Sequence, residues 1–249
     1  MADTRPFTRR AWTAALWFGW ALVHAVTAHG AELPAPFSAA YAMRVNGVPV
    51  GRMLRELRSD GGDRNVFRSE TVTTGLAAML GAPRIVEESR WRREGRNARP
   101  IAYRYEQTGR KKSRKVLIDF DWARNLATNS LNGQEWRMDL VPGVLDKLLY
   151  QIVLMRDLRE GLKSMQYEIA DGGRIKTFRF EVVGQERIGT ALGEMDTLRI
   201  TRVRNDDFRQ TTLWCAPALG YAPVRVDARE KDGSLTNAEI ESSAGLGPQ

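Results

Sequence analysis

The stretch that decides the fold is VLIDFDWARNLATNSLNGQEWRMDLVPGVLDKLLYQIVLMRDLREG, residues 116–161. Its first part alternates apolar and polar side chains, as a half-buried strand requires. Asn132-Gly133 then marks a hairpin turn, because both residues tolerate a positive φ angle. The alternation resumes after this turn. The residues on the apolar side are Val116, Ile118, Phe120, Trp122, Trp136, Met138 and Leu140. This half of the stretch therefore predicts antiparallel strands with one apolar face.

The second half of the stretch changes its period. Between residues 144 and 160 the apolar residues recur at steps of three and four, which is typical of an amphipathic helix. They are Leu145, Leu148, Leu149, Ile152 and Met155. Pro142-Gly143 precede this segment, and Gly161 is a natural C-terminal stop. The pattern predicts one helix, over about residues 144–160, whose apolar stripe is buried.

Outside this stretch the chain returns to the strand pattern, from Tyr41 onward and again from Ser164 to Glu241. Short turns such as Asn46-Gly47 and Asp232-Gly233 join the segments, and this favours an antiparallel meander. A lone amphipathic helix must bury its stripe against that sheet. We therefore expect a mainly β fold: a curved open barrel with one helix packed on it. Residues 32–241 form this single domain, and the small, polar tail 242–249 is expected to be disordered.

The first 31 residues have the features of an export signal. Arg9 and Arg10 precede an apolar run, and Ala28 and Gly30 place small residues before a cleavage site near Ala31. An uncleaved membrane anchor is the alternative, although the run is slightly short for a spanning helix. The expected location is the periplasm.

Removing this leader also removes both histidines of the chain, His24 and His29, and leaves one cysteine, Cys215. A histidine-based catalytic triad and the usual zinc sites then lack their residues. We expect no metal site, no cofactor and no enzymatic activity, with Cys215 buried as a small apolar side chain. A hydrolase that uses two carboxylates, such as Asp119 and Asp121, is a third and weaker alternative.

The chain is basic, with 38 lysines and arginines against 30 acidic residues. One basic cluster falls on a predicted hairpin tip, and it comprises Arg110, Lys111, Lys112, Arg114 and Lys115. In a periplasm this charge favours an anionic envelope surface and peripheral membrane contact, not nucleic acid. A solvated turn is the alternative interpretation.

Several segments resemble an exported bacterial family named domain of unknown function 3108. These segments are the strand from Tyr41 with Asn46-Gly47 and Gly51, Thr190–Thr197, Thr212–Trp214, Tyr221–Val226 and Lys231–Leu235. The resemblance covers most of residues 37–242 and implies a fold, but no site residues. More loosely, the architecture resembles the periplasmic lipoprotein carriers, which are incomplete β-barrels with a helical lid and a lipid-binding cavity.

These observations predict a non-enzymatic periplasmic protein that binds an apolar or amphipathic envelope ligand between its sheet and its helix. The candidate ligand-binding residues are Phe120, Trp122, Leu149 and Ile152, because they carry the apolar faces of the strand and the helix. A structural or assembly factor that docks on another envelope protein through a sheet edge is the alternative. The oligomeric state and the ligand stay open.

Overall fold

In a computed structural model, the protein is described at residue 1 and over residues 31–75, 83–109, 113–203 and 209–248. Residues 2–30, which are most of the predicted export signal (residues 1–31), and Arg110–Lys112 lie outside the described residues. The elements in chain order are β1 (Phe37–Val45), β2 (Val48–Ser59), β3 (Arg64–Thr73), β4 (Arg84–Glu94), β5 (Asn97–Thr108), β6 (Arg114–Asp121), β7 (Leu126–Leu131), β8 (Gln134–Asp139), β9 (Leu145–Asp146), α1 (Tyr150–Arg159), β10 (Ser164–Asp171), β11 (Arg174–Thr190), β12 (Gly193–Val203), β13 (Arg209–Ala216), a 3₁₀ turn (Pro217–Leu219), β14 (Ala222–Glu230) and β15 (Leu235–Ala244).

These fifteen strands form one sheet, whose spatial order is β8-β7-β6-β5-β4-β3-β2-β1-β15-β14-β13-β12-β11-β10-β9. The pairs are antiparallel except for β9 with β10. Two meanders, β1–β8 and β9–β15, meet where the first strand pairs with the last. The prediction of a mainly β antiparallel meander is confirmed.

The connection between β8 and β9 forces this sheet to curl. These strands lie at opposite ends of the sheet, yet only residues 140–144 separate Asp139, where β8 ends, from Leu145, where β9 begins. A link of this length spans at most about 20 Å. A flat sheet of fifteen strands would be about 67 Å wide. The two sheet ends must therefore meet, which produces the curved open barrel. We call this junction, between β4–β8 on one side and β9–β10 on the other, the seam.

A hydrogen bond crosses the seam near its centre. The Ser89 hydroxyl of β4 donates to Asp146 Oδ2 of β9 at 2.5 Å, and both residues are fully buried. The other oxygen of Asp146 accepts the backbone N–H groups of Leu148 and Leu149. Asp146 therefore fixes the turn that leads into α1 and also joins β9 to β4 across the seam.

The helix is shorter than the sequence predicts. Its expected range was 144–160, but α1 begins at Tyr150, because Leu145 and Asp146 pair in parallel with Ile169 and Ala170 of β10. The apolar spacing did not distinguish a helical turn from a buried two-residue strand followed by a turn, since the side chains of Leu145, Leu148 and Leu149 are buried in either case. The helix ends at Arg159, and Gly161 follows with a positive φ angle.

The C-terminal boundary also differs from the expectation. Ser242–Ala244, expected to begin a disordered tail, form the end of β15 and pair with Ser38–Ala40 of β1. Leu246 packs against the apolar core. Small polar residues give no alternation of hydropathy, but their backbone groups complete the ladder with β1.

The core surrounds α1. The inner faces of β3–β7 and β10–β12 pack against the helix in one apolar cluster, and a second cluster lies under β1, β2 and β13–β15. Cys215 is fully buried, as the sequence predicts. At ten residues α1 is too short to cross a bilayer, and the described part of the chain holds no helix that could.

Candidate functional site

A cleft of about 370 Å³ opens at the seam. One wall comes from the inner faces of β5–β8, where the alternation of each strand directs its apolar side chains. The opposite wall is the turn that follows β9 and the end of β10. The lining residues are Tyr103, Tyr105, Arg114, Val116, Ile118, Leu131, Trp136, Lys147, Asp171 and Gly172. The cleft therefore has an apolar, aromatic wall facing a charged one.

Two cations border the cleft. Arg114 lies over the ring of Tyr105, with 5.9 Å between the guanidinium carbon and the ring centroid. Among the described residues no ion pair involves Arg114, whereas Lys147 lies 3.6 Å from the Asp171 carboxylate. Arg114 can therefore take an anionic partner without giving up an existing one.

Asp171 is the acidic group of the same rim. Burial raises the pKa of this carboxyl, but the hydrogen bond from Lys176 and the charges of Lys147 and Lys176 outweigh burial and hold the pKa below its usual value. Lys176 Nζ lies 2.5 Å from Asp171. Because Asp171 already has two lysines, it leaves the rim with a surplus of positive charge.

A second carboxylate, Glu87, lies next to the aromatic wall. Tyr103 donates its hydroxyl hydrogen bond to Glu87 at 2.7 Å. Burial and the negative charge of Glu87 raise the pKa of Tyr103, so this phenol stays protonated. The bond fixes the ring of Tyr103 in the cleft wall.

Trp136 lines the cleft and reaches across the seam. Its indole lies against Gly173 in the β10–β11 turn, and a Cβ atom at position 173 would come 1.7 Å from Trp136 Nε1. Gly173 also has a φ angle of +78°. Glycine is thus required at position 173 for two reasons, the positive φ angle of the backbone and the close approach of the indole.

The four predicted ligand-binding residues lie elsewhere. Leu149 and Ile152 are 0% exposed beneath α1, and Phe120 is buried in the same apolar cluster. Trp122 packs on that cluster and donates to the carbonyl oxygen of Pro100. All four belong to this large apolar cluster or pack against it, and none of them lines the cleft.

The predicted basic surface is divided. Arg110–Lys112 lie outside the described residues. Arg114 and Lys115 are neighbours in β6, so their side chains point to opposite faces of the sheet. Arg114 lines the cleft, whereas Lys115 is exposed and lies opposite Glu106 of β5.

Of the residues that line the cleft, only Arg114 was among the predicted site residues. Lys147 lies in the segment predicted to be helical, but it precedes the helix, which begins at Tyr150. Asp171 is the last residue of β10. Their meeting with β5–β8 depends on the strand order, which local patterns do not encode.

The carboxylates considered for hydrolysis lie on the outer side of the sheet. Asp119 is exposed, and Asp121 pairs with Arg124 and accepts its backbone N–H. Burial raises the pKa of the Cys215 thiol, which suppresses the reactive thiolate. Among the described residues no cluster of histidine, cysteine and acidic side chains could hold a metal ion.

Comparisons with known proteins agree with this architecture. A family model described as "Protein of unknown function (DUF3108)" matches residues 40–241. The crystal structure of a "Beta-barrel-like Protein of Domain of Unknown Function DUF1849 from Brucella abortus" is similar, with a TM-score of 0.55 and 12% sequence identity over 85% of this chain and 98% of that chain. A comparison with curated proteins finds no match. The structural likeness shows a shared fold.

Proposed function

Since the chain belongs to the family of proteins of unknown function DUF3108, we propose that it is a non-enzymatic binding protein of the bacterial envelope. Its ligand is an anionic amphiphile held in the seam cleft. The observation that carries the proposal is the combination of an apolar wall with two cations at its rim, Arg114 and Lys147. The periplasm is the proposed location, and it rests on the leader in residues 1–31.

The apolar wall supplies affinity for a hydrocarbon chain. Burying apolar surface contributes about 25 cal/mol for each Å² removed from water. A cleft of about 370 Å³ is within the size range of small-molecule sites. The side chains of Val116, Ile118 and Leu131 have no polar atoms, so this wall binds a hydrocarbon chain without distinguishing one chain from another.

The cations supply selectivity for the head group. Hydrogen bonds between a guanidinium and a phosphate or carboxylate are roughly twice as strong as neutral ones. Arg114 is held near the rim by its contact with Tyr105. A negatively charged head therefore gains more from this site than a neutral or cationic head.

The space beneath α1 does not support binding there. Leu149 and Ile152 have no exposed surface, and the ring of Tyr150 packs on those of Phe178 and Phe180. We therefore move the proposed ligand from the helix–sheet interface to the seam. Contact with an anionic membrane through the predicted basic cluster, to which Lys115 belongs, is part of the same proposal, because such contact would bring the protein to its ligand.

Adjacent residues on β6 give a matched test. Titration calorimetry with tetradecanoate should show binding to the wild type and a loss of about tenfold in Arg114→Glu, which corresponds to about 1.4 kcal/mol. Lys115→Glu carries the same change of charge on the other face and should bind as the wild type does. Equal losses in both variants would show a general charge effect and contradict the proposed site.

Failure of the wild type to bind any long-chain anion would instead favour the alternative role, docking on another envelope protein through a sheet edge. Mass spectrometry of organic extracts from the protein purified from its native envelope would then identify the natural ligand or show that none copurifies.

A further inference from the structure

Asn129 of β7 is a buried amide without a partner. The residue is 0% exposed. Neither its Nδ2 nor its Oδ1 has a hydrogen-bond partner among the described residues. Buried polar side chains in native proteins nearly always make hydrogen bonds, so each exception calls for an explanation. An amide with both its donors and its acceptor free is prepared for a partner that offers both kinds of group.

The register of the sheet places this amide beside the cleft. Asn129 lies opposite Ile118 of β6 on one side and opposite Trp136 of β8 on the other. Directly opposed residues of antiparallel strands project from the same face of the sheet. Both neighbours line the cleft. The amide of Asn129 is therefore on the cleft side of the sheet, between two of the residues that form its wall.

Trp136 is the cleft residue that lies opposite Asn129 on β8. It belongs to β8, the strand at the end of the sheet, which pairs with β7. Its indole lies against Gly173 across the seam. A side chain on a terminal strand can rotate without breaking a ladder between inner strands. Rotation of the indole away from Gly173 would extend the cleft as far as the side-chain amide of Asn129.

We propose that Asn129 selects ligands whose anionic head also carries hydroxyl groups, such as a glycerol or sugar phosphodiester. This inference rests on the proposed function of the seam cleft. A hydroxyl group both donates and accepts, so a vicinal diol satisfies Oδ1 and Nδ2 together. A carboxylate or phosphate oxygen only accepts and would leave Oδ1 unpaired. Arg114 and Lys147 then bind the charge while Asn129 binds the diol.

Two synthetic phosphodiesters test this selectivity. Tetradecyl glyceryl phosphate and tetradecyl propyl phosphate share their chain, their charge and their three-carbon head, and they differ by two hydroxyl groups. Titration calorimetry should show that the wild type binds the glyceryl compound about tenfold more tightly. Equal affinities in the wild type would overturn the inference, and this comparison requires no variant.

Asn129→Leu is the decisive variant, because leucine has a similar volume and no polar atoms. It should bind the propyl compound as the wild type does and should lose the preference for the glyceryl compound. A preference that persists in this variant would overturn the inference. If the wild type binds neither compound, the proposed function itself fails, and this outcome is distinct from equal binding of both.

The stability of the ligand-free variant gives an independent readout. Replacing an unsatisfied buried amide by an apolar side chain of the same size removes a desolvation penalty. Asn129→Leu should therefore unfold at the same temperature as the wild type or above it. A lower midpoint, or failure to fold, would show that the amide already has a partner within the protein and would overturn the inference.

Discussion

The interface beneath α1 and the seam, which join at Asp146, differ in how their buried polar groups are paired. Beneath α1 the interface is filled, and the carboxylate of Asp157 is paired through both oxygens: Tyr167 donates to one at 2.8 Å, and Arg156 binds the other. At the seam a cleft remains, Arg114 has no ion pair among the described residues, and the amide of Asn129 is unpartnered. The filled interface beneath α1 stabilises the fold, whereas the seam leaves open space beside unpaired groups, as the proposed binding role requires.

The largest expected effect tests the helix side of this comparison. Leu149→Ala or Ile152→Ala should lower the free energy of unfolding by about 2–5 kcal/mol, because each leaves a cavity in a closed interface. Leu54→Ala is the matched control, since Leu54 is 50% exposed. Leu131→Ala, in the wall of the cleft, should fall between them. Urea denaturation followed by circular dichroism measures all four variants, and equal losses for Leu149 and Leu54 would contradict a filled interface.

A smaller effect concerns Asp146, where the two regions join. Burial raises the pKa of its carboxyl to about 6, against the hydrogen bonds from Ser89 and from the backbone at Leu149 and Leu148, which lower it. An acid whose pKa is raised by folding stabilises the native state below its unfolded pKa, near 4, and loses this contribution as pH rises through about 6. The expected loss is on the order of 2 kcal/mol between pH 4 and pH 7.

Asp146→Asn should remove this dependence, because asparagine can keep the contacts without ionising. The measurement is the difference between the thermal midpoints of the wild type and the variant at several pH values, since other carboxyls such as Asp171, whose pKa is lowered, contribute an opposite slope. The wild type should lose stability relative to the variant as pH rises from 4 to 7. A constant difference would show that Asp146 does not titrate in this range.

The smallest expected effect separates backbone strain from contact at the seam. Gly172→Ala and Gly173→Ala each place a side chain at a positive φ angle. At Gly172 the nearest atom to the new Cβ is Lys176 Nζ at 4.0 Å, whereas at Gly173 the Cβ displaces the indole of Trp136. Gly173→Ala should therefore cost about 1 kcal/mol more than Gly172→Ala in thermal unfolding. Equal costs would mean that Trp136 does not help to close the seam.

The features predicted correctly from the sequence depend on local periodicity. Alternation along Val116–Trp122 placed one face inward, and the spacing of Leu149 and Ile152 predicted their burial. The family resemblance is confirmed by the match to residues 40–241. Such patterns say which face of an element is buried, but they do not say which elements become neighbours.

The cleft depends on that second kind of information. Lys147 and Asp171 meet Tyr105 and Trp136 because β8 and β9 lie at opposite ends of one curled sheet. For Asn129 the sequence does hold a local signal. It is a polar residue at an alternate position between the apolar Ala127 and Leu131, both on the inner face of β7. A polar residue at an inward position can indicate a structural hydrogen bond or a ligand contact, and the strand order is needed to distinguish them.

The pairing of β1 with β15 also dictates the order in which the protein can assemble. Each meander can form from neighbouring hairpins, but the ladder that joins Phe37–Val45 to Leu235–Ala244 requires both ends of the chain. Contacts between distant parts of a sequence slow folding, because the loop must close before the contact stabilises anything. In a chain synthesised or exported from its N-terminus, β1 can therefore pair with β2, but its other edge stays open until the last strand is complete, and that edge needs shielding throughout this interval.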